Sequence, residues 1–374
     1  MQKRVIVLGS AHYNTIGMVQ ALGREGVHVI GVLIHGGGIV KNSVYINEIY
    51  SVQDYQEGID FIAMQLVQET PTVIIPCGDE AALLLESNRE KLSEHFLFQG
   101  VTNCTMSEAM DKYCQTQIAH DSGFDVPMSF KMRKDDALPE EMPFPIIIKP
   151  LVSCQGMKSD IRVVNDMEGF ERLRGEIFAN TSEVIVSEFI QHGDNELNMI
   201  GCALKNGRCI VPCFIRKLRV HPKSRGSVSV AEIGPIEKSH ERIVDSIAEF
   251  IRRIGYVGLF SVELMGDMST GRMFFIEANL RNDALNPFVV KAGVNLPYLH
   301  VQDLMGEELR KDIPLGKTLK MICEPIHLAS VYRHSINIFQ WLHDVVTCDA
   351  FMLYWPEDRK LFWSQFFNRI IKLF

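Results

Sequence analysis

The nine cysteines of this 374-residue sequence include no CxxC pair. An odd number of scattered thiols suits neither a disulfide framework nor a zinc site, and predicts reduced, mostly buried side chains in a cytoplasmic protein. Cys209 and Cys213 are close, but no His or Cys pair completes a metal set. A basic excess is missing too. The net charge of -8 argues against a nucleic-acid binder working by general attraction to phosphates, and leaves room only for a local basic pocket. No apolar run approaches a membrane span, and the run at Val5–Leu8 is too short for a signal peptide. The dinucleotide fingerprint is also absent: the first strand leads into Gly9-Ser-Ala-His-Tyr-Asn-Thr-Ile-Gly17, and the second ends in His35-Gly-Gly-Gly instead of an acid. A dinucleotide site needs Gly-x-Gly-x-x-Gly and that acid, so NAD binding is disfavoured.

What remains is a globular composition, 47% hydrophobic and 22% charged, in a chain long enough for two or three lobes. Strands at Val5–Leu8, Val27–Ile34 and Thr72–Pro76 alternate with helical segments and predict a parallel α/β lobe. Asp79 and Glu80 follow the third strand, where helix capping and substrate contact are both open readings. Turn chemistry is favoured for His12 and Asn14. Ser107 is expected to cap a helix that carries Lys112 and runs to Gly123.

Phe144-Pro-Ile-Ile-Ile-Lys149-Pro150 reads as an apolar strand with one lysine, which either reaches water or meets an anion. Ser153, Gly156 and their neighbours form a short polar turn able to fold over phosphates through backbone N–H groups. Ser182 to Ile190 is a further strand, followed by a polar break and Glu196. Arg216, Lys217, Arg219, Lys223 and Arg225 concentrate positive charge in an acidic chain, as a solvated loop or an anion-binding flap. Ile243, Ile247, Phe250, Ile251 and Ile254 recur at helical spacing and mark a core-packed helix.

That helix feeds a hairpin in which Leu259-Phe-Ser-Val-Glu263 and Met273-Phe-Phe-Ile-Glu277-Ala-Asn279-Leu-Arg281 flank a Gly266–Gly271 turn. Alternation sends Glu277 and Asn279 out on one face. A register pairing Met265 with Met273 adds Glu263 to that face, whereas a one-residue slip would remove it. Oxygen donors so grouped suit magnesium, which takes few carboxylates from a nucleotide enzyme. A solvated charge cluster is the alternative.

In this order, Lys112, Ile148-Lys149-Pro150, the 153–159 loop, Glu188-Phe189-Ile190, Glu196, Glu263 and Glu277-Ala-Asn279-Leu-Arg281 resemble the ATP-grasp superfamily over roughly residues 1–310. The resemblance implies an α/β and α+β protein, an ATP-grasp fold with an N-terminal Rossmann-like lobe. The expected parts are that lobe at 1–105, a small lid at 106–190, a larger half with the metal site at 191–315, and a C-terminal helical extension at 316–374.

It further implies that Lys112, Lys149, Ser153 and Gly156 hold ATP phosphates, that Glu188, Phe189 and Ile190 line the adenine hinge, and that Glu196 takes the ribose. Glu263, Glu277 and Asn279 become ligands of Mg2+, with two ions or Mn2+ compatible with the pattern. Arg281, together with Lys149, holds the transferred phosphate. The implied reaction turns a carboxylate into an acylphosphate that an amine intercepts. Asn279-Leu-Arg-Asn-Asp283 and Ala292-Gly-Val-Asn-Leu-Pro297 look like carboxylate–amine ligases of this kind, including ones associated with cell-surface polysaccharide synthesis. Arg216, Lys217, Arg219, Arg225, Asp79 and Glu80 are the candidate substrate contacts. Cys154, Gln155 and Met157 replace the usual small residues of the lid loop, so a nucleotide-binding scaffold without turnover is the alternative.

Past residue 315, Ile336, Ile338, Phe339 and Leu342 suggest a helix, and Leu361–Phe374 an aromatic amphipathic end. Docking on the protein itself or a partner is favoured over contact with a membrane surface. A homo-oligomer is compatible with the sequence.

Overall fold

The computed structural model describes residues 2–151, 160–179, 181–191, 195–222, 227–309, 315 and 317–364. Its first sheet is parallel, in the order β3-β2-β1-β4-β5, from β1 (Arg4–Gly9), β2 (His28–Ile34), β3 (Glu48–Val52), β4 (Thr72–Pro76) and β5 (Phe96–Leu97). Continuous runs such as Val5–Leu8 and Val73–Ile75 are buried, as a sheet covered on both faces requires. His12 caps the helix Tyr13–Gly23, its Nδ1 accepting from Asn14 N at 3.1 Å. Asn14 does more than turn chemistry. Its buried amide donates to Cys77 O at 3.3 Å and to Asn282 O at 2.8 Å, tying this sheet to the segment that follows the strand Met273–Asn279.

The helix expected to start at Ser107 is two helices, Met106–Met110 and Lys112–Asp121. Thr105, not Ser107, caps the first, in a reciprocal box with Glu108. Asp111 leaves the helical region at φ −71°, ψ 121° and caps the second, accepting from Tyr113 N and Cys114 N at 2.9 Å each. Lys112 therefore begins a helix.

The second sheet, β6-β9-β7-β8, is antiparallel and built from β6 (Ser129–Arg133), β7 (Ile146–Pro150), β8 (Arg162–Val164) and β9 (Glu183–Glu188). It encloses a core of its own around Ile146, Ile148, Phe170 and Val186.

The third sheet holds β10 (Glu196–Ala203), β11 (Cys209–His221), β12 (Ser227–Pro235), β13 (Gly258–Gly266), β14 (Met273–Asn279), β15 (Leu319–Ile322) and β16 (Ala350–Phe351), in the order β14-β13-β10-β11-β12-β15-β16. The helix Glu241–Ile254 buries Ile247, Phe250, Ile251 and Ile254 as its spacing predicts, and a left-handed Gly255 at φ 64° ends it. The region after 315 is not simply helical: β15 and β16 extend this sheet. The helix suggested by Ile338, Phe339 and Leu342 is present as Ile338–Thr347, but these three side chains do not dock on the described part of the chain. Ile338, Phe339, Leu342 and Val346 are exposed, while Asp344 is buried. One apolar core runs from Val7 and Met18 of the first lobe through Ile215 and Phe288 to Met321 and Leu353. Among the described residues no helix is long and apolar enough to cross a membrane.

Candidate active site

A cavity of about 800 Å3 opens between the three sheets, lined by Lys112, Lys149, Glu188, Phe189, Ile190, Glu196, Lys217, Glu263, Glu277, Asn279, Arg281 and Asp79, among others. The hairpin reaches it by an unexpected route. Met265 pairs with Phe274 rather than Met273, the slip that would have separated the acids. A bulge then inserts Ile276 between the Leu264–Phe275 and Glu263–Glu277 pairs, so the two glutamates end directly opposite one another. The extra residue sits beside the cavity, which Ile276 and Glu277 both line.

Each acid meets a base. Lys112 Nζ lies 2.8 Å from Glu277 Oε2, and Lys217 Nζ lies 2.9 Å from Glu196 Oε2 and 3.1 Å from Glu263 Oε2. The Lys112 ammonium, acting against burial and helped by Lys149, holds the Glu277 carboxyl down at about 2. Burial pushes Lys149 below the ordinary lysine value while Glu277 opposes it. Lys217 is buried as well, yet Glu263 and Glu196 outweigh burial and push it up. Arg281 Nε donates to Asp79 Oδ1 at 2.9 Å and its Nη2 to Asn279 Oδ1 at 3.1 Å. Asp79 thus joins the first lobe to the acid-bearing strand.

Several candidates lie elsewhere. Glu80 is exposed and does not line the cavity. Arg216 points out of β11 to Glu232 at 3.3 Å, and Arg219 pairs with Asp344, so neither lines the cavity. Ser153, Gly156 and Arg225 lie outside the described residues, as does the aromatic end beyond residue 364. Sequence reasoning passed over Asn198, Ser261 and Asp283. Asn198 lines the cavity two residues after Glu196, and that alternation was its available signal. Asp283 accepts from Ser261 Oγ at 2.7 Å and stands 3.8 Å from Arg281 Nη1.

Glu263, Glu277 and Asn279 are hard oxygen donors. Beside Glu263 in the ladder, the buried Asn198 Oδ1 has no hydrogen-bond partner among the described residues. This set fits a magnesium ion whose shell is completed by phosphate and water. Among the described residues, no group of three or more His, Cys, Asp or Glu side chains could hold a metal by itself.

Residues 106–311, more than half of the sequence, match the model of the carbamoyl-phosphate synthase L chain, ATP binding domain. The chain belongs to this family. It is 24% identical over 247 residues to the D-aspartate ligase of Enterococcus faecium (strain Aus0004), covering 62% of this chain and 58% of that one. It therefore spans little more than half the length of that relative. The fold is the ATP-grasp fold, shared with N5-carboxyaminoimidazole synthetase from Staphylococcus aureus at a TM-score of 0.66 and 15% identity, covering 89% of this chain and 88% of that one. L-amino acid ligase from Bacillus licheniformis superposes at 0.60 with 15% identity, covering 86% and 79%.

Proposed function

We propose that the protein is an ATP- and Mg2+-dependent ligase that activates a small carboxylate as an acylphosphate and joins it to an amine. The supporting observation is the convergence of three lysines and one arginine on two facing glutamates within one cavity, in a chain of the ATP-binding domain family. Phosphoryl transfer asks chiefly for positioning and neutralisation of charge, and this constellation is suited to both.

In this reading Glu188, Phe189 and Ile190 border the base and Glu196 takes the ribose. Lys112 and Lys149 hold the phosphates, and Glu263, Glu277 and Asn279, with Asn198 beside them, hold the metal. Mg2+ supplies charge neutralisation across the phosphate oxygens. Arg281, oriented by Asp79 and Asn279, steadies the group in transfer. The names of the ligase relatives favour an amino acid as the carboxylate.

Release of ADP from MgATP, measured against a panel of amino acids and other carboxylates with and without amines, tests the proposal. ADP formed only when both substrate types are present supports the ligase. Nucleotide binding without ADP under every combination would favour a scaffold and sink it.

A further inference from the structure

We propose that Asp344, which lies outside the cavity, positions Lys217 through Arg219 by pinning a pair of compensating bulges in β11 and β12. The inference rests on the nucleotide reading of the cavity.

Regular alternation would send Lys217 and Arg219 to the same face of β11. They part instead: Lys217 lines the cavity, Arg219 meets Asp344, and Val220 lines the cavity again. The ladder shows how. Lys217 pairs with Ala231, Arg219 with Val230 and Val220 with Val228, so Leu218 is an extra residue on β11 and Ser229 an extra residue on β12. The second insertion restores the register that the first one shifts. Bulges beside a site re-aim side chains in this way.

Both insertions are fastened to the part of the chain after residue 311, where the family match ends. Arg219 is held by Asp344. Ser229 Oγ lies 2.9 Å from His327 Nδ1, and Ser229 O accepts from Cys323 N at 3.0 Å. Just beyond the bulge, Ser335 Oγ lies 2.9 Å from His221 Nδ1. Asp344 is the hub. It is 2% exposed, with Lys320 Nζ at 3.2 Å, Gln340 Nε2 at 3.3 Å and His327 Nε2 at 3.7 Å. Without that carboxylate, Arg219 has no reason to leave the face that alternation assigns it, where it would crowd Lys217. The lysine's grip on Glu196 and Glu263 would then loosen.

The test is a double-mutant cycle on the full chain, reading the dissociation constant of MgATP by titration calorimetry for D344N, K217Q and the pair. D344N is expected to weaken binding about tenfold and to add little once Lys217 is gone. Unchanged binding by D344N, or a loss that persists in full in the K217Q background, would overturn the inference. A merely structural role gives that second result. If D344N does not fold, Ser229→Ala removes only the His327 contact and enters the same cycle, with a smaller loss that must likewise vanish with Lys217. Failure of the unaltered protein to bind MgATP would overturn the nucleotide reading and this inference together, whereas tight binding by D344N overturns this inference alone.

Discussion

Glu277 concentrates the chemistry of the cavity, because it faces Lys112 at 2.8 Å and is held ionised at about 2. Glu277→Gln keeps the shape and removes the charge. We expect it to reduce ADP formation at least about a hundredfold, with circular dichroism unchanged, and normal turnover would remove Glu277 from the mechanism. His300 presents the opposite case. It is fully buried on the helix Leu296–Leu304, neither ring nitrogen has a partner among the described residues, and burial pushes it down to about 4 from 6.5. Between these values the unfolded chain binds the proton and the folded chain does not, so stability is lost as pH falls from 6.5 to 4. The loss is on the order of 3 kcal/mol. His300→Leu should remove its share of the fall in melting temperature over that window, leaving the share of His327, which burial also pushes down to about 4, and an unaltered pH profile would refute the assignment.

At the scale of elements, capping gives a direct check. Thr105→Ala should cost about 1 kcal/mol of stability, while Ser107→Ala, at the exposed position the sequence favoured, should change it by less than about 0.5 kcal/mol. Denaturant titration separates the two. The contrast shows what was legible. The helix Glu241–Ile254 declares itself through periodicity and the buried strands through continuous apolar runs, both of which are local properties. The break at Asp111 competes with a continuous helical pattern and depends on where one carboxylate points. The slip and bulge around Ile276 were not legible, because ladder register is set by partners distant in sequence. The same reason hid β15 and β16, whose short runs become strands only when β15 meets β12 and β16 in turn meets β15. Glu263, Glu277 and Asn279 came together as expected, but by a different path. Arg216 and Arg219 were drawn to the cavity by a charge count that carries no direction.

At the scale of the molecule, the first and third sheets share one core, and the contact between them leaves no slack. A Cβ on Gly17 would stand 2.3 Å from Pro287 Cγ and 3.2 Å from its Cδ. Pro287 belongs to the helix Asn286–Lys291, whose ring cannot swing aside. Gly17→Ala should therefore destabilise by about 1–3 kcal/mol and, by wedging the two parts, lower MgATP affinity. Calorimetric unfolding and nucleotide titration read the two effects.

The bond from Asp79 to Arg281 and the amide contacts between Asn14 and Asn282 cross this same seam. A polypeptide trimmed to residues 106–311 would keep every lysine and glutamate assigned to the nucleotide. It would also carry an arginine stripped of its Asp79 partner and a bared apolar wall where Val7 and Met18 once packed. Excision along the recognised module should thus yield an aggregating, inert fragment. The folded unit is larger than the stretch by which it is recognised.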